Sequence, residues 1–246
     1  MDDVPSATKP FRRPEDVYIN EDRYEEPKET FKFLAGVIAG LDLPSDAAVL
    51  DVGCATGEFL YYLRKLHPGF RCTGLEPSEA MVTQARARVP DVDFVVGGLQ
   101  DEAFFAERRF DLVICCAVIP YFRDLRTPLK NLLAATRQGG HITLLNTVNE
   151  DPIDTHVLYR SADNQEGPWL PDCTYSKASY DKVLDGLGYD LERAWHPFRM
   201  PFALPKQNDL IRAWTFPTEA NPYQLICGTQ QLIDLQVLSI KLNGLP

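Results

Sequence analysis

With 246 residues, 45% of them hydrophobic, the chain is long enough for one large α/β domain with a substantial core, which excludes whole-chain disorder and does not call for two domains. Its formal charge of −10, from 25 basic and 35 acidic residues, argues against a nucleic-acid partner, whose phosphates require a basic surface. The cysteines at 54, 72, 115, 116, 173 and 227 form no Cys-x-x-Cys pair and no zinc pattern, the first residues lack a signal-like segment, and no apolar run reaches membrane-spanning length. A soluble cytoplasmic protein without a metal site, and without a membrane partner, is the expectation.

In chain order, residues 1–26 are polar and Pro-bearing, with Phe11, Tyr18 and Tyr24 as the aromatics, and read as an arm that orders over a site. From Pro27 to Gly40 the recurrence of Phe31, Leu34, Ile38 and Leu41 predicts a helix. Ala47–Val52 is apolar enough for a central parallel strand, and a helix follows from Glu58 to the Arg64-Lys65 and His67-Pro68-Gly69 stop signal. Strands are expected at Arg71–Glu76, Val92–Val96 and Phe110–Cys116, with a helix from Pro77-Ser78 to about Val89 between the first two. Thr127 and Pro128 predict a capped helix start, Gly139-Gly140 its end, and His141–Asn146 a fifth strand. Asn149–Cys173 reads as an irregular loop, Ser176–Leu187 as a helix and Tyr189–Trp195 as a strand. Arg212–Phe216 and Tyr223–Gly228 read as a hairpin, and Leu235–Leu242 as the last strand. The alternation predicts an α/β fold, a doubly wound, seven-stranded, mainly parallel sheet with an added C-terminal hairpin.

The most informative stretch is Asp51-Val52-Gly53-Cys54-Ala55-Thr56-Gly57, a glycine turn between a strand and a helix, where open α/β sheets bind nucleotide-like ligands. A dinucleotide fingerprint would need a small residue where Glu58 stands, and a phosphate loop would need Gly-Lys-Ser/Thr where Gly57-Glu58-Phe59 stands. The turn suits a nucleoside without phosphates. Glu76, at the tip of the second strand, is placed to accept two ribose hydroxyls. Gly97-Gly98-Leu99-Gln100 and Cys116-Ala117-Val118 follow the third and fourth strands.

In these four motifs the chain resembles the class I S-adenosylmethionine-dependent methyltransferases. Asp51–Gly57 is similar to the family's first motif, Gly74-Leu75-Glu76-Pro77-Ser78 to its second, Phe110–Ile114 to its fourth-strand motif, and Arg137–Ile142 to the turn before its fifth strand. The resemblance covers residues 30–148 and implies a methyltransferase domain over 27–246, its cofactor half at 30–148 and its acceptor side at 149–246. It implies S-adenosyl-L-methionine as cofactor, with Gly53, Cys54, Ala55 and Gly57 approaching the methionine moiety. It places Asp51 on the ammonium, Glu76 on the ribose with Pro77 beside it, Met81, Leu99 and Gln100 around adenine, and the Cys116 carbonyl at the sulfonium end. Many relatives carry Asp where this chain has Gly98, so that Gln100 or Asp101 would have to substitute.

Methyl transfer needs a nucleophile held in line with water excluded, and a route for any proton it carries. Tyr121, His156 and His196 are the candidates for a base, each with a structural alternative, whereas His67 and His141 read as structural. Glu150, Asp151 and Asp154 make no convincing metal set. The fourth strand leads into Cys116-Ala117-Val118-Ile119-Pro120-Tyr121 rather than the Asn/Asp-Pro-Pro-Tyr/Phe of enzymes acting on amides and bases, which points to a small-molecule acceptor methylated at O or N, a sugar or other metabolite. Trp214, Phe216 and Tyr223 with Tyr18, Tyr24 and Trp169 are expected to line a lid. The alternatives are a nicotinamide-dependent oxidoreductase and a non-catalytic cofactor-binding subunit, in a monomer or homodimer.

Overall fold

The computed structural model describes residues 18–160, 162, 166–206 and 212–245; the part of the predicted arm before Tyr18, including Phe11, lies outside them. The central sheet is built from β1 (Ala48–Val52), β2 (Arg71–Glu76), β3 (Asp93–Val96), β4 (Phe110–Cys116), β5 (Thr136–Asn149), β8 (Asp190–Pro197) and β12 (Leu235–Gly244), in the spatial order β3-β2-β1-β4-β5-β12-β8. The first five pair in parallel, and β12 runs antiparallel between β5 and β8. Strand order reverses between β1 and β4, the switch point beside which such sheets open a crevice at their carboxyl ends.

Helices cover both faces. On one, α1 (Glu29–Ala39), α2 (Glu58–Leu66) and α3 (Glu79–Arg88) bury Leu34, Ile38, Phe59, Leu60, Leu63, Val82 and Ala85 against Val49, Leu112 and Ile114 of the sheet. On the other, α4 (Glu102–Glu107), α5 (Arg126–Ala135) and α6 (Lys177–Asp185) bury Phe105, Leu129, Leu132, Tyr180 and Leu184 against Leu50, Val52, Leu75 and Val113. Alternate strand residues thus serve opposite cores, and near-continuous apolar runs result. Ser78 caps α3, its hydroxyl accepting the Met81 N–H at 3.4 Å.

Four local expectations are corrected. Thr127 does not cap α5; the Asp124 carboxylate does, accepting the backbone N–H groups of Arg126 and Thr127 at 3.0 and 3.1 Å. Gly139-Gly140 does not end that helix either. The chain turns extended at Thr136, where pairing with Phe110 and an Arg137–Asp111 ion pair at 2.6 Å start β5 early, and Gly139 (φ +79°) sits within the strand. The region 149–173 is not irregular throughout, because β6 (Thr155–Tyr159) pairs antiparallel with β7 (Leu170–Ser176). Pro171 and Asp172 interrupt the strand signal of β7, and β6 is short, so pairing rather than pattern makes them strands. The predicted hairpin, β9 (Trp214–Phe216) and β10 (Gln224–Ile226), gains a third strand, β11 (Leu232–Ile233). That small sheet sits on Phe198, Met200 and Leu225, with Phe33 of α1 packed edge-on to Phe198 at 5.4 Å.

Gly74, in the middle of β2, has no room for a side chain: a Cβ there would lie 2.6 Å from both Cys54 Sγ and Phe94 Cδ1. Gly74→Ala is expected to lower stability by about 1–3 kcal/mol through overpacking. Urea denaturation followed by circular dichroism checks this; an unchanged midpoint would mean that Phe94 moves aside freely.

Candidate active site

The β1–α2 turn is made by three left-handed residues, Gly53 (φ +74°), Ala55 (φ +47°) and Gly57 (φ +81°). Gly53 is obligatory, since a Cβ would meet Val118 Cγ2 at 2.3 Å. Gly57 carries the same constraint against the Phe94 ring, at 2.8 Å. Two backbone N–H groups, of Gly53 and Cys54, donate to the Leu75 carbonyl at 2.7 and 3.2 Å and staple the turn to the end of β2. Ala117, at the end of β4, is also left-handed (φ +57°) and donates its N–H to Leu145 O at 2.7 Å. Non-glycine residues rarely hold this conformation, and the two at Ala55 and Ala117 both border the crevice.

Glu76 closes the other side. Its Oε2 accepts the Ala55 N–H at 3.1 Å and its Oε1 the Ser78 N–H at 3.0 Å, which fixes the carboxylate plane at the strand tip. Asp51 is 2% exposed, and among the described residues no protein hydrogen bond reaches its carboxylate. Burial, and then the neighbouring Glu76 charge, push its pKa up to about 7. Cys116 is pushed up to about 12 by burial and Asp51, with Lys28 pulling the other way.

These groups open into a cavity of about 1170 Å³. Of the predicted cofactor residues, Asp51, Gly53, Cys54, Ala55, Glu76, Pro77, Met81 and Cys116 line it. Gly57, Leu99 and Gln100 do not: Gly57 starts α2, Leu99 is buried in the core with its carbonyl accepting from Asn131 at 2.9 Å, and Gln100 is exposed with its amide folded over Gly98. Among the base candidates, Tyr121 lines the cavity from the 3₁₀ turn after β4, its phenol raised by burial and by the Asp172 and Glu76 charges. His156 is exposed on β6 against the Tyr175 ring, and His196 lies on β8 with its Nε2 2.9 Å from Ser239 Oγ; neither borders the cavity.

The expected aromatic lid is largely replaced. Tyr18 is in the cavity wall, but Tyr24 is buried beneath it, donating its hydroxyl to Thr56 O at 2.6 Å and packing edge-on to Tyr61. Trp214, Phe216, Tyr223 and Trp169 face elsewhere, and Phe31, Met200, Phe202, Leu204 and Leu225 form the apolar wall instead. The sequence reading also missed a charged group. Glu21, Arg23 and Lys28 reach the cavity from the arm and the start of α1, and Arg212 joins them from across the fold. Arg212 and Glu21 are 191 positions apart, so no local pattern links them.

Residues 49–140 match the family model described as a methyltransferase domain. The chain is 27% identical over 179 residues to a malonyl-[acyl-carrier protein] O-methyltransferase of Priestia megaterium, covering 70% of this chain and 62% of that protein. It is 32% identical over 150 residues to a trans-aconitate 2-methyltransferase of Variovorax paradoxus, covering 60% and 55%. The chain thus spans less than two thirds of the length of either. In fold it is similar to a chain from the complex of the Haloferax volcanii Trm112 methyltransferase activator with a methyltransferase (TM-score 0.62, 21% identity, 94% and 97% covered). Sequence match and fold agree on one point: residues 49–140 carry a methyltransferase domain, and the chain around it is similar to the class I S-adenosylmethionine-dependent methyltransferases.

Proposed function

We propose that the protein transfers the methyl group of S-adenosylmethionine to a small carboxylate-bearing acceptor, in a catalytic unit spanning residues 27–246. The observation that carries the cofactor half is the pair of buried carboxylates, Asp51 and Glu76, facing one crevice across a turn that excludes side chains. Among the described residues Asp51 lacks a hydrogen-bond partner, and it suits the ammonium of the cofactor's methionine end; Glu76, held by two backbone N–H groups, suits a ribose diol. The bare backbone at Gly53 and Ala55 admits close approach between them. Against a dinucleotide stands Glu58, a buried acid at the N-terminus of α2 where a pyrophosphate would need that helix end.

The acceptor class is supported by what the cavity lacks. None of the chain's four histidines borders it, burial raises the Tyr18 and Tyr121 phenols, and its two raised acids have other roles, Asp51 at the cofactor's ammonium and Glu58 on the Arg23 N–H. A nucleophile with no proton to lose fits such a wall, and the relatives named for trans-aconitate and malonyl groups point to the same chemistry. A carboxylate oxygen attacks the methyl carbon in line, the carbon–sulfur bond breaks with its electron pair passing to sulfur, and a methyl ester leaves without any proton transfer. The chain's part is to orient the two reactants and exclude water. The free state of all six cysteines fits a cytoplasmic setting.

Incubation with methyl-labelled cofactor and a panel of mono-, di- and tricarboxylates is expected to yield base-labile labelled esters. Failure of S-adenosylhomocysteine to bind at millimolar concentration would remove the whole reading. Glu76→Gln is expected to weaken S-adenosylhomocysteine about ten- to a hundredfold, the loss of charge-assisted hydrogen bonds of about 1.5–3 kcal/mol, as read by calorimetry. An unchanged Kd would move the sugar elsewhere.

Asp51 gives a pH signature. Its folded pKa, about 7, lies above its unfolded value, so the protonated carboxyl favours the fold in the free protein. That contribution is complete below about pH 4, the unfolded pKa, and is lost as pH rises to about 7. An ammonium beside it demands the charged form, so affinity for S-adenosylhomocysteine should rise from pH 5.5 to 7.5 with proton release. Asp51→Asn should flatten both trends; a persistent slope would assign the proton to another group.

A further inference from the structure

We infer that the cation cluster at the mouth of the cavity is the seat for the acceptor's carboxylate, and that Glu21 of the arm occupies it as an internal stand-in. The inference deepens the carboxylate reading above and rests on it for its place in the reaction.

Three cations converge on one side chain. Lys28 Nζ is 2.6 Å from Glu21 Oε2, while Arg212 Nη1 and Arg23 Nε lie 3.2 and 3.5 Å from Oε1. They come from three places: the arm, the start of α1 and the segment leading into β9. The Glu21 side chain is only 7% exposed although it belongs to a polar arm. Burial alone would raise its pKa, yet the surrounding cations, Lys28 foremost and then Arg212 and Arg23, hold it below the usual range. All four residues border the cavity.

The cluster has more donor capacity than Glu21 uses. Arg23 Nε is buried and makes no hydrogen bond, its approach to Oε1 being one of charge only. Glu58 also feels Lys28 and Arg23, but it is raised by burial and takes the Arg23 backbone N–H at 2.6 Å. An arm that needed merely to be tied down already has other anchors, in Arg88–Asp22, Lys65–Glu25 and the Tyr24 hydroxyl on Thr56. Three cations around one carboxylate is the arrangement of a carboxylate-recognition site.

Its position suits transfer. Lys28 is the cation whose charge reaches Cys116, at the end of β4 where the sulfonium is proposed to lie, and its ammonium sits 5.2 Å from the Tyr18 ring centre and 5.3 Å from that of Phe31. Beyond it the wall is apolar, with Met200, Phe202, Leu204 and Leu225. An acceptor with a carboxylate and a hydrocarbon body fits both parts, and its carboxylate must displace that of Glu21.

The test uses propionate as the carboxylate probe and propionamide as its neutral isostere, each added to protein with and without excess S-adenosylhomocysteine. Propionate is expected to raise the Tm of Glu21→Ala by about 2–4 °C, propionamide to leave it unchanged, and wild type to respond to neither. Glu21→Gln, which keeps the volume but not the charge, should respond in the same sense, and adding Arg212→Gln to either should abolish the response. Equal responses in wild type and variants, or none in either variant, would overturn the inference. Binding of S-adenosylhomocysteine is followed separately by calorimetry. If it binds while propionate fails, the cation seat falls and the cofactor assignment stands; if it does not bind while propionate succeeds, the reverse holds.

Discussion

The structure turns on one join: the turn after β1 hydrogen-bonded to the tip of β2. Gly53 and Cys54 donate to Leu75 O, and Ala55 donates to the Glu76 carboxylate, so the loop that forms the crevice floor and the acid that forms its wall hold one another. Each side is strained or costly alone. Ala55 is held left-handed, and Glu76 is a carboxylate 7% exposed. Together the backbone N–H supplies the buried charge with a partner, and the charge fixes the unfavourable backbone. Gly74 belongs to the same join, since only a residue without a side chain lets Cys54 and Phe94 pack across β2 beneath the turn.

A sheet assembled in this way sets where everything else must go. The parallel strands β1, β2 and β4 end at one edge, so residues distant in sequence, Asp51, Glu76 and Cys116, meet at the cavity without any long side chain reaching for another. The antiparallel β12, threaded between β5 and β8, brings Leu235 to the cavity and delivers the small β9–β11 sheet beside α1. The wall proposed for the acceptor therefore joins the C-terminal third of the chain to the arm and α1, and the wall proposed for the cofactor comes from the first half.

That division explains what could be read from the residues. Apart from α4 (Glu102–Glu107), a six-residue helix too short to show a period, the elements from Ala48 to Cys116 were legible because each is a short continuous segment whose glycines, caps and apolar runs act locally: the Gly53–Gly57 turn, the Ser78 cap and the apolar β4 all stand where the pattern put them. The cap of α5 was misread because Asp124 and Thr127 are both good capping residues three positions apart, and only geometry decides between them. Strands β6 and β7 were missed because their stability lies in mutual pairing, which polar residues such as Thr155, His156 and Asp172 do not announce. The cation cluster was invisible for a stronger reason. It exists only where the arm, α1 and the segment before β9 meet, and a charged residue in a polar arm looks the same whether it is solvated or buried.

The electrostatics of the cavity are those of a place meant to be filled. Asp51 and Glu76 lie together in low dielectric, and burial with mutual repulsion holds the Asp51 carboxyl at a pKa of about 7. A fold selected for stability alone would place an apolar residue at position 51, buried as it is among strand residues, and would gain by doing so. Elsewhere on the wall the charge has the other sign, with Lys28, Arg23 and Arg212 converging on Glu21. On the proposed reading the cofactor's ammonium relieves the first group and the acceptor's carboxylate takes the second. The proposed crevice thus sorts its two reactants by charge, with the carboxylates at β1 and β2 on the cofactor side and the cations of the arm and α1 on the acceptor side. On that reading each group answers a different molecule, which holds a donor and an acceptor in a fixed order without a covalent link to either.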